Sequence, residues 1–293
     1  MMAKALFLAV LSATALAACT AIEPARVAPP SLETSRQVTH ADLDAVQRRF
    51  VDEKGLVNYH ALRREPGQLD RYYLWLAEES PDSNPERFPT REDALAYWIN
   101  AYNASVLVTV LRYYPIASVT DVPATFPLGL IDDKIGFFFL QEVQLGGEST
   151  NFYDLENSLI RSRYQEPRIH FAINCASLGC PQLPQEAFTS PRLDEQLDRE
   201  ARRFFARHQN LHFDHDAETV WLSPILDWYE SDFTQWLEQH HPDRPATLLE
   251  YVSLYAPKEH EAALLRARDE GYEIDFIEYD WGLNDQTPTA KPH

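Results

Sequence analysis

The chain has 293 residues, of which 45% are hydrophobic and 12% aromatic. That is enough apolar material for a sizeable core, and it excludes a wholly disordered protein. Its 26 basic and 45 acidic residues leave a formal charge of −19, a field that repels phosphates and excludes nucleic acid as a partner.

In chain order, the first feature is a leader. Lys4 precedes an uncharged run from Ala5 to Ala18, which has the length of a signal-peptide core and is too short for a membrane span. The run ends Leu16-Ala17-Ala18-Cys19, which resembles a bacterial lipobox. The resemblance implies a signal peptide over 1–18, a lipid on Cys19 and a membrane partner reached through that anchor. An ordinary signal peptide cut after an Ala-x-Ala type site is the alternative. Thr20 after the Cys implies, on the same resemblance, the outer membrane facing the periplasm. Residues 19–38 hold Pro24, Pro29 and Pro30 and read as a lipid-anchored tether.

Residues 39–284 read as one globular domain, because no linker-like stretch or internal repeat interrupts them. Asp42–Val51 carries Leu43, Val46 and Phe50 at helical spacing, and Leu69–Ala77 reads as an aromatic-rich helix. Thr90 and Asp93 have capping-box spacing at the head of the next helix. From Ala94 to Leu111 that helix carries no charge. Its Tyr, Asn, Ser and Thr content favours a buried central helix over a membrane span. Asn100 and Asn103 share one face of it, either as ties to neighbouring loops or as the lining of a polar cleft. Pro115 ends it.

Gly136–Gln144 reads as a strand, with Gly146-Gly147 as a turn. Asp154–Tyr164 reads as a helix with Leu155, Leu159 and Ile160 inward. Arg168–Asn174 alternates like a strand, and Leu193–His208 is an amphipathic helix. Leu211–Asp214 and Thr219–Ser223 read as strands. Helices follow over Ile225–Gln239, Ala246–Tyr255 and Lys258–Glu270, then a last strand over Glu273–Tyr279. A polar tail, 285–293, is expected to be disordered. The mixture lacks a βαβ rhythm and a Gly-rich phosphate loop, so the fold class is α+β. The expected architecture is a single domain with a buried central helix packed on a small mixed sheet, loosely papain- or transglutaminase-like by analogy. No residue pattern calls for a cofactor.

Three segments carry a family resemblance. They are Tyr97-Trp98-Ile99-Asn100-Ala101-Tyr102-Asn103, then Leu155-Glu156 with Arg161, then Arg168 to Ser177 continuing to Cys180-Pro181. Together with the closing Tyr279-Asp280-Trp281-Gly282-Leu283-Asn284, their order and spacing resemble the bacterial family known as the domain of unknown function numbered 547. The resemblance spans roughly 46–284 and implies a shared fold and site, without naming a reaction.

The chemistry must come from the residues. Apart from Cys19, the cysteines are Cys175 and Cys180. In an exported protein they invite a disulfide across a short loop. They also allow a thiol nucleophile at Cys175 with His170 as its base. As a strand, however, five residues would hold those two about 16 Å apart. Glu156, Asn100 or Asn103 are the candidate orienting partners. The order His170, Cys175, Cys180 also permits a metal shell if a fourth ligand joins, although the usual second ligand pair is missing. Arg161 and Arg168 read either as structural partners of Glu156 or as a fork for a small anionic or peptide-like ligand. Ser177 joins them as a candidate substrate-binding residue. Two functions follow. One is a thiol-dependent hydrolase or acyl transferase. The other is a non-catalytic ligand-binding module stapled by a Cys175–Cys180 disulfide.

Overall fold

The computed structural model describes residues 20–21, 39–124 and 132–287. The expected signal peptide, Cys19 and most of the tether lie outside them, as do residues 288–293. The fold is α+β. Its first strand, β1 (Thr20–Ala21), is followed by helices α1 (Ala41–Phe50), α2 (Tyr59–Arg64), α3 (Gly67–Glu78) and α4 (Arg91–Tyr113). Next come α5 (Ile135–Phe138), β2 (Gln141–Leu145), β3 (Glu148–Asn151) and α6 (Phe152–Asp154). The helix of α6 continues as a π-helical segment over Leu155–Arg161 and closes as α7 (Ser162–Tyr164). The second half holds α8 (Leu193–Phe205), β4 (Leu211–Asp214), β5 (Thr219–Leu222), α9 (Ile225–Trp228) and α10 (Glu230–His240). It ends with α11 (Leu248–Tyr255), α12 (Glu261–Glu270) and β6 (Glu273–Phe276).

α4 organises the first half. Thr90 Oγ1 accepts the Asp93 N–H and the Asp93 carboxylate accepts the Thr90 N–H, so the expected capping box forms. By length and composition α4 could cross a membrane, yet 83% of its most apolar window is buried inside the protein. It packs on α3, β2 and the π-helical segment. The side chains around it form one large apolar cluster with α1 and α3. A second cluster, built on Phe204, Phe205, Leu226, Phe233 and Tyr251, lies under the C-terminal helices.

Two small mixed sheets replace the single one expected. In the first, β2 pairs antiparallel with β3 and parallel with β1. In the second, β5 pairs antiparallel with β4 and parallel with β6. The first half of the strand expected at Gly136–Gln144 is instead the short helix α5. Gly136 sits where any Cβ would fall 1.9 Å from the Val122 carbonyl oxygen. Phe137 stacks on Phe152 at 5.0 Å while Phe139 turns out to solvent, a split that three consecutive Phe residues on a pleated strand would not make.

The strand expected at Arg168–Asn174 is also absent. Pro167–Phe171 forms a 3-10 turn headed by Glu166, whose carboxylate accepts the Arg168 N–H. Its side chains sort to three places. Ile169 joins the first cluster, Phe171 joins the second, and His170 faces a cleft between them. The long helix expected over Ile225–Gln239 breaks at Tyr229 into α9 and α10. The domain also runs past its expected end at 284. Asp285 is buried and accepts the Tyr114 hydroxyl at 2.8 Å, and the Gln286 N–H donates to the Val57 carbonyl.

Candidate functional site

The two motifs nearest the cleft pair with each other. The loop after the 3-10 turn runs antiparallel to the closing Tyr279–Asn284 segment. Leu178 N–H donates to Gly282, Gly179 N–H to Asp280, and Asn284 N–H to Ala176. Gly179 is required there by close approach, because a Cβ would meet the Tyr279 ring at 2.9 Å. Ala176 takes a positive φ of 65° at the start of the loop. Its N–H is held by the Asn174 side chain, whose own amide donates to the Pro181 carbonyl. The loop is thereby closed on itself, and Cys175 and Cys180 form a disulfide with a Cα separation of 6.3 Å, inside the ordinary range. The Tyr279 hydroxyl caps it, 3.0 Å from Cys180 Sγ and 3.3 Å from Cys175 Sγ. Buried Ser177 lies beside it, its Oγ 3.5 Å from Cys175 Sγ.

These sulfurs open on a small cleft of about 90 Å³. Glu156 and His170 share it, and the rings of Tyr102, Trp228, Tyr229, Tyr279 and Trp281 line its wall. The 3-10 turn over Pro167–Phe171 and the irregular chain after it replace an extended strand, and His170 and Cys175 line one cavity. His170 is 3% exposed and its ring stacks on Tyr229 at 3.9 Å. Its Nε2 lies 2.8 Å from Asp232 on α10. Asp232 also receives Arg161 in a two-pronged pair at 2.8 and 3.0 Å. Partial burial opposes ionisation of Asp232, but hydrogen bonds from His170 and Arg161 outweigh it and hold the carboxyl below the usual range.

Glu156 projects from the π-helical segment, an irregularity that frequently marks functional positions. Its carboxylate accepts the Tyr229 hydroxyl at 2.6 Å. Burial, and then the charge of Glu156, push the Tyr102, Tyr229 and Tyr279 hydroxyls above the ordinary phenol value. The cleft is therefore a negatively polarised aromatic pocket.

The other candidates fall elsewhere. Both amides on α4 are ties. Asn100 donates to the Phe188 carbonyl and accepts its N–H, at 2.8 and 3.0 Å. Asn103 donates to the Ala172 carbonyl at 3.0 Å and accepts the Asn174 N–H at 2.8 Å. Neither faces the cleft, so the expected role of orienting His170 passes to Asp232. Glu156 and Arg161 do not pair directly, because the π-helical turn sends one to Tyr229 and the other to Asp232 and Asn157. Arg161 also lies over the Tyr229 ring at 4.5 Å and lines a separate polar pocket of about 310 Å³ on its far side. Arg168 is held by Glu166, Asp194 and Asp198 and does not line the cleft. Neither guanidinium is left open as a fork for a carboxylate. The metal alternative loses two of its ligands to the disulfide and His170 Nε2 to Asp232.

Asp232, Tyr229, Trp228 and Tyr279 complete the site beyond the residues that the sequence marks as candidates. Tyr279 alone had a signal, since it opens the closing motif. No curated protein and no solved structure matches the chain. A family model matches residues 86–205, a narrower span than the resemblance suggested. It contains Glu156, His170 and both cysteines but not Ile225, Trp228, Tyr229 and the closing-segment residues that line the cleft, nor Asp232 behind His170. The matched family is described as protein of unknown function, DUF547, and the match covers about two fifths of the chain.

Proposed function

We propose that this cleft is the working site of a thiol-dependent hydrolase or acyl transferase acting on a small or peptide-like substrate. The observation that carries the reading is a cysteine sulfur and a buried histidine in one cavity, with the histidine held from behind by Asp232. In this reading Cys175 is the nucleophile. His170, engaged by Asp232 through Nε2, has Nδ1 left to take the thiol proton. The Tyr279 hydroxyl donates toward the sulfur. Because the two sulfurs are bonded, activity requires a dithiol reductant. The reductant takes the bond as its own disulfide and leaves two protein thiols.

A second reading rests on that same bond. As a permanent staple, it would hold an aromatic binding pocket with no chemistry of its own. The test is hydrolysis of p-nitrophenyl acetate by protein reduced with dithiothreitol, with iodoacetamide labelling in parallel. A thiol enzyme loses activity with Cys175→Ala and keeps part of it with Cys180→Ala. Equal stability losses in both single variants and the double variant, with no labelling of the native reduced protein, overturn the enzyme reading.

The leader supports a further proposal, that the chain is exported and anchored in the cell envelope by a lipid on Cys19. Cys19→Ser should then give a protein that fails to partition with membranes. Fractionation identical to wild type refutes the anchor.

A further inference from the structure

We infer that the cleft beside the disulfide takes a small organic cation, an alkylammonium group, with Glu156 as its counter-charge and Trp228, Tyr279 and Trp281 as its walls. This deepens the reading of the cleft as the working site and rests on it.

The three rings pack on one another as one aromatic wall of the cleft. Tyr279 lies 4.5 Å from Trp281 and 5.0 Å from Trp228, and the two tryptophans are 6.3 Å apart, 21° from parallel. The ring faces that such a wall leaves open attract a cation within about 6 Å of a ring centre. Trp228 is 47% exposed, a high value for so large a ring in a chain that buries most of its aromatics. The protein already places one of its own cations on this wall. Lys134 Nζ sits 5.1 Å from the Trp281 ring centre.

Charge makes the choice between ligand classes. Asp232 is matched by Arg161 and His170. Among the described residues, the Glu156 carboxylate accepts the Tyr229 hydroxyl and pairs with no cation, so its negative charge stands uncompensated by direct contact. Arg161 lies behind the Tyr229 ring and is turned to Asp232. A carboxylate ligand would meet Glu156 with no open guanidinium to offset it, and the Lys134 ammonium is already paired with Asp132 and Asp133. An ammonium would meet a carboxylate through aromatic walls. The volume of about 90 Å³ suits a head group rather than a whole peptide. The remainder of the substrate would extend out past Trp228.

The experiment is calorimetric titration of the oxidised full-length protein, in which neither cleft cysteine is a thiol. The probes are n-butylammonium, tetramethylammonium, uncharged n-butanol and butyrate. The cations should bind, with n-butanol at least about tenfold weaker and butyrate not detected. Glu156→Gln keeps an acceptor for the Tyr229 hydroxyl and should weaken the cations by about tenfold or more. Trp228→Ala, at an exposed position where folding is not at stake, should weaken them by about two- to thirtyfold. A further arm compares Nα-acetyl-lysine methylamide with n-butylammonium. Tighter binding of the former identifies a lysyl side chain as the source, and equal binding identifies a free amine. Butyrate binding as well as the cations, or cation affinity untouched by both substitutions, overturns the inference. So does a lack of any cation binding. Each of these leaves the thiol reading standing, since that is decided by activity and labelling of the reduced protein.

Discussion

Asn103→Leu separates a structural tie from a catalytic group. The Asn103 amide is 1% exposed and serves two backbone groups on either side of the turn before Cys175, the Ala172 carbonyl and the Asn174 N–H. Leucine has nearly the same volume, so the cavity contribution is small and the loss comes from two buried groups left unpaired. At about 1–3 kcal/mol each, the variant should lose roughly 2–6 kcal/mol. Asn100→Leu leaves the Phe188 N–H and carbonyl unpaired by the same chemistry, and should cost a similar amount. The two differ in place. The Asn103 tie holds the turn leading into the disulfide loop, whereas the Asn100 tie holds a segment outside the cleft. Urea unfolding followed by circular dichroism gives the stability losses. Iodoacetamide labelling after mild reduction reads the cleft. Asn103→Leu should raise access to Cys175 in the native state, and Asn100→Leu should leave it unchanged. A loss below about 1 kcal/mol for Asn103→Leu, or equal labelling in both variants, refutes the reasoning.

Two further predictions test other parts of the fold. His40 is buried against Tyr72, with Nδ1 2.6 Å from its hydroxyl, and burial lowers its pKa to about 4 against the opposing pull of Asp93. The unfolded chain takes up this proton below about pH 6.5 while the native state does not. Stability should therefore be complete above about pH 6.5 and fall toward pH 4, by at most about 1.4 kcal/mol per pH unit. His40→Gln should remove that share of the slope in denaturant melts recorded across the window, and identical slopes refute it. Gly179→Ala would place a methyl 2.9 Å from the Tyr279 ring and 3.0 Å from the Asp280 nitrogen. The resulting shift should cost about 1–3 kcal/mol and change tryptophan emission from the cleft, since the Tyr279 ring touches both Trp228 and Trp281. An unchanged melting midpoint together with unchanged emission counts against the close packing.

What the sequence determined by itself was local or periodic. The Thr90–Asp93 capping box and the uncharged run behind it specify α4 and its burial, because cap spacing and charge are written within one helix. Gly146-Gly147 specifies the turn between β2 and β3, since both take positive φ. The Cys175–Cys180 bridge was legible as one of several options, because a short loop between two cysteines permits it. Tertiary structure alone decided among those options. The alternation in Arg168–Asn174 mimics a strand, yet no neighbouring strand offers a ladder there. Ile169 and Phe171 are instead drawn to two different apolar clusters, and the chain winds into a 3-10 turn that turns His170 to the cleft. Asp232 lies 62 residues from His170, and Tyr279 lies 104 from Cys175. No period or spacing links such partners. They meet because the break at Tyr229 starts α10 against the 3-10 turn, and because the closing segment hydrogen-bonds along the 176–179 loop. Local patterns decide which elements form, whereas a cleft built between elements depends on how their buried faces are satisfied together.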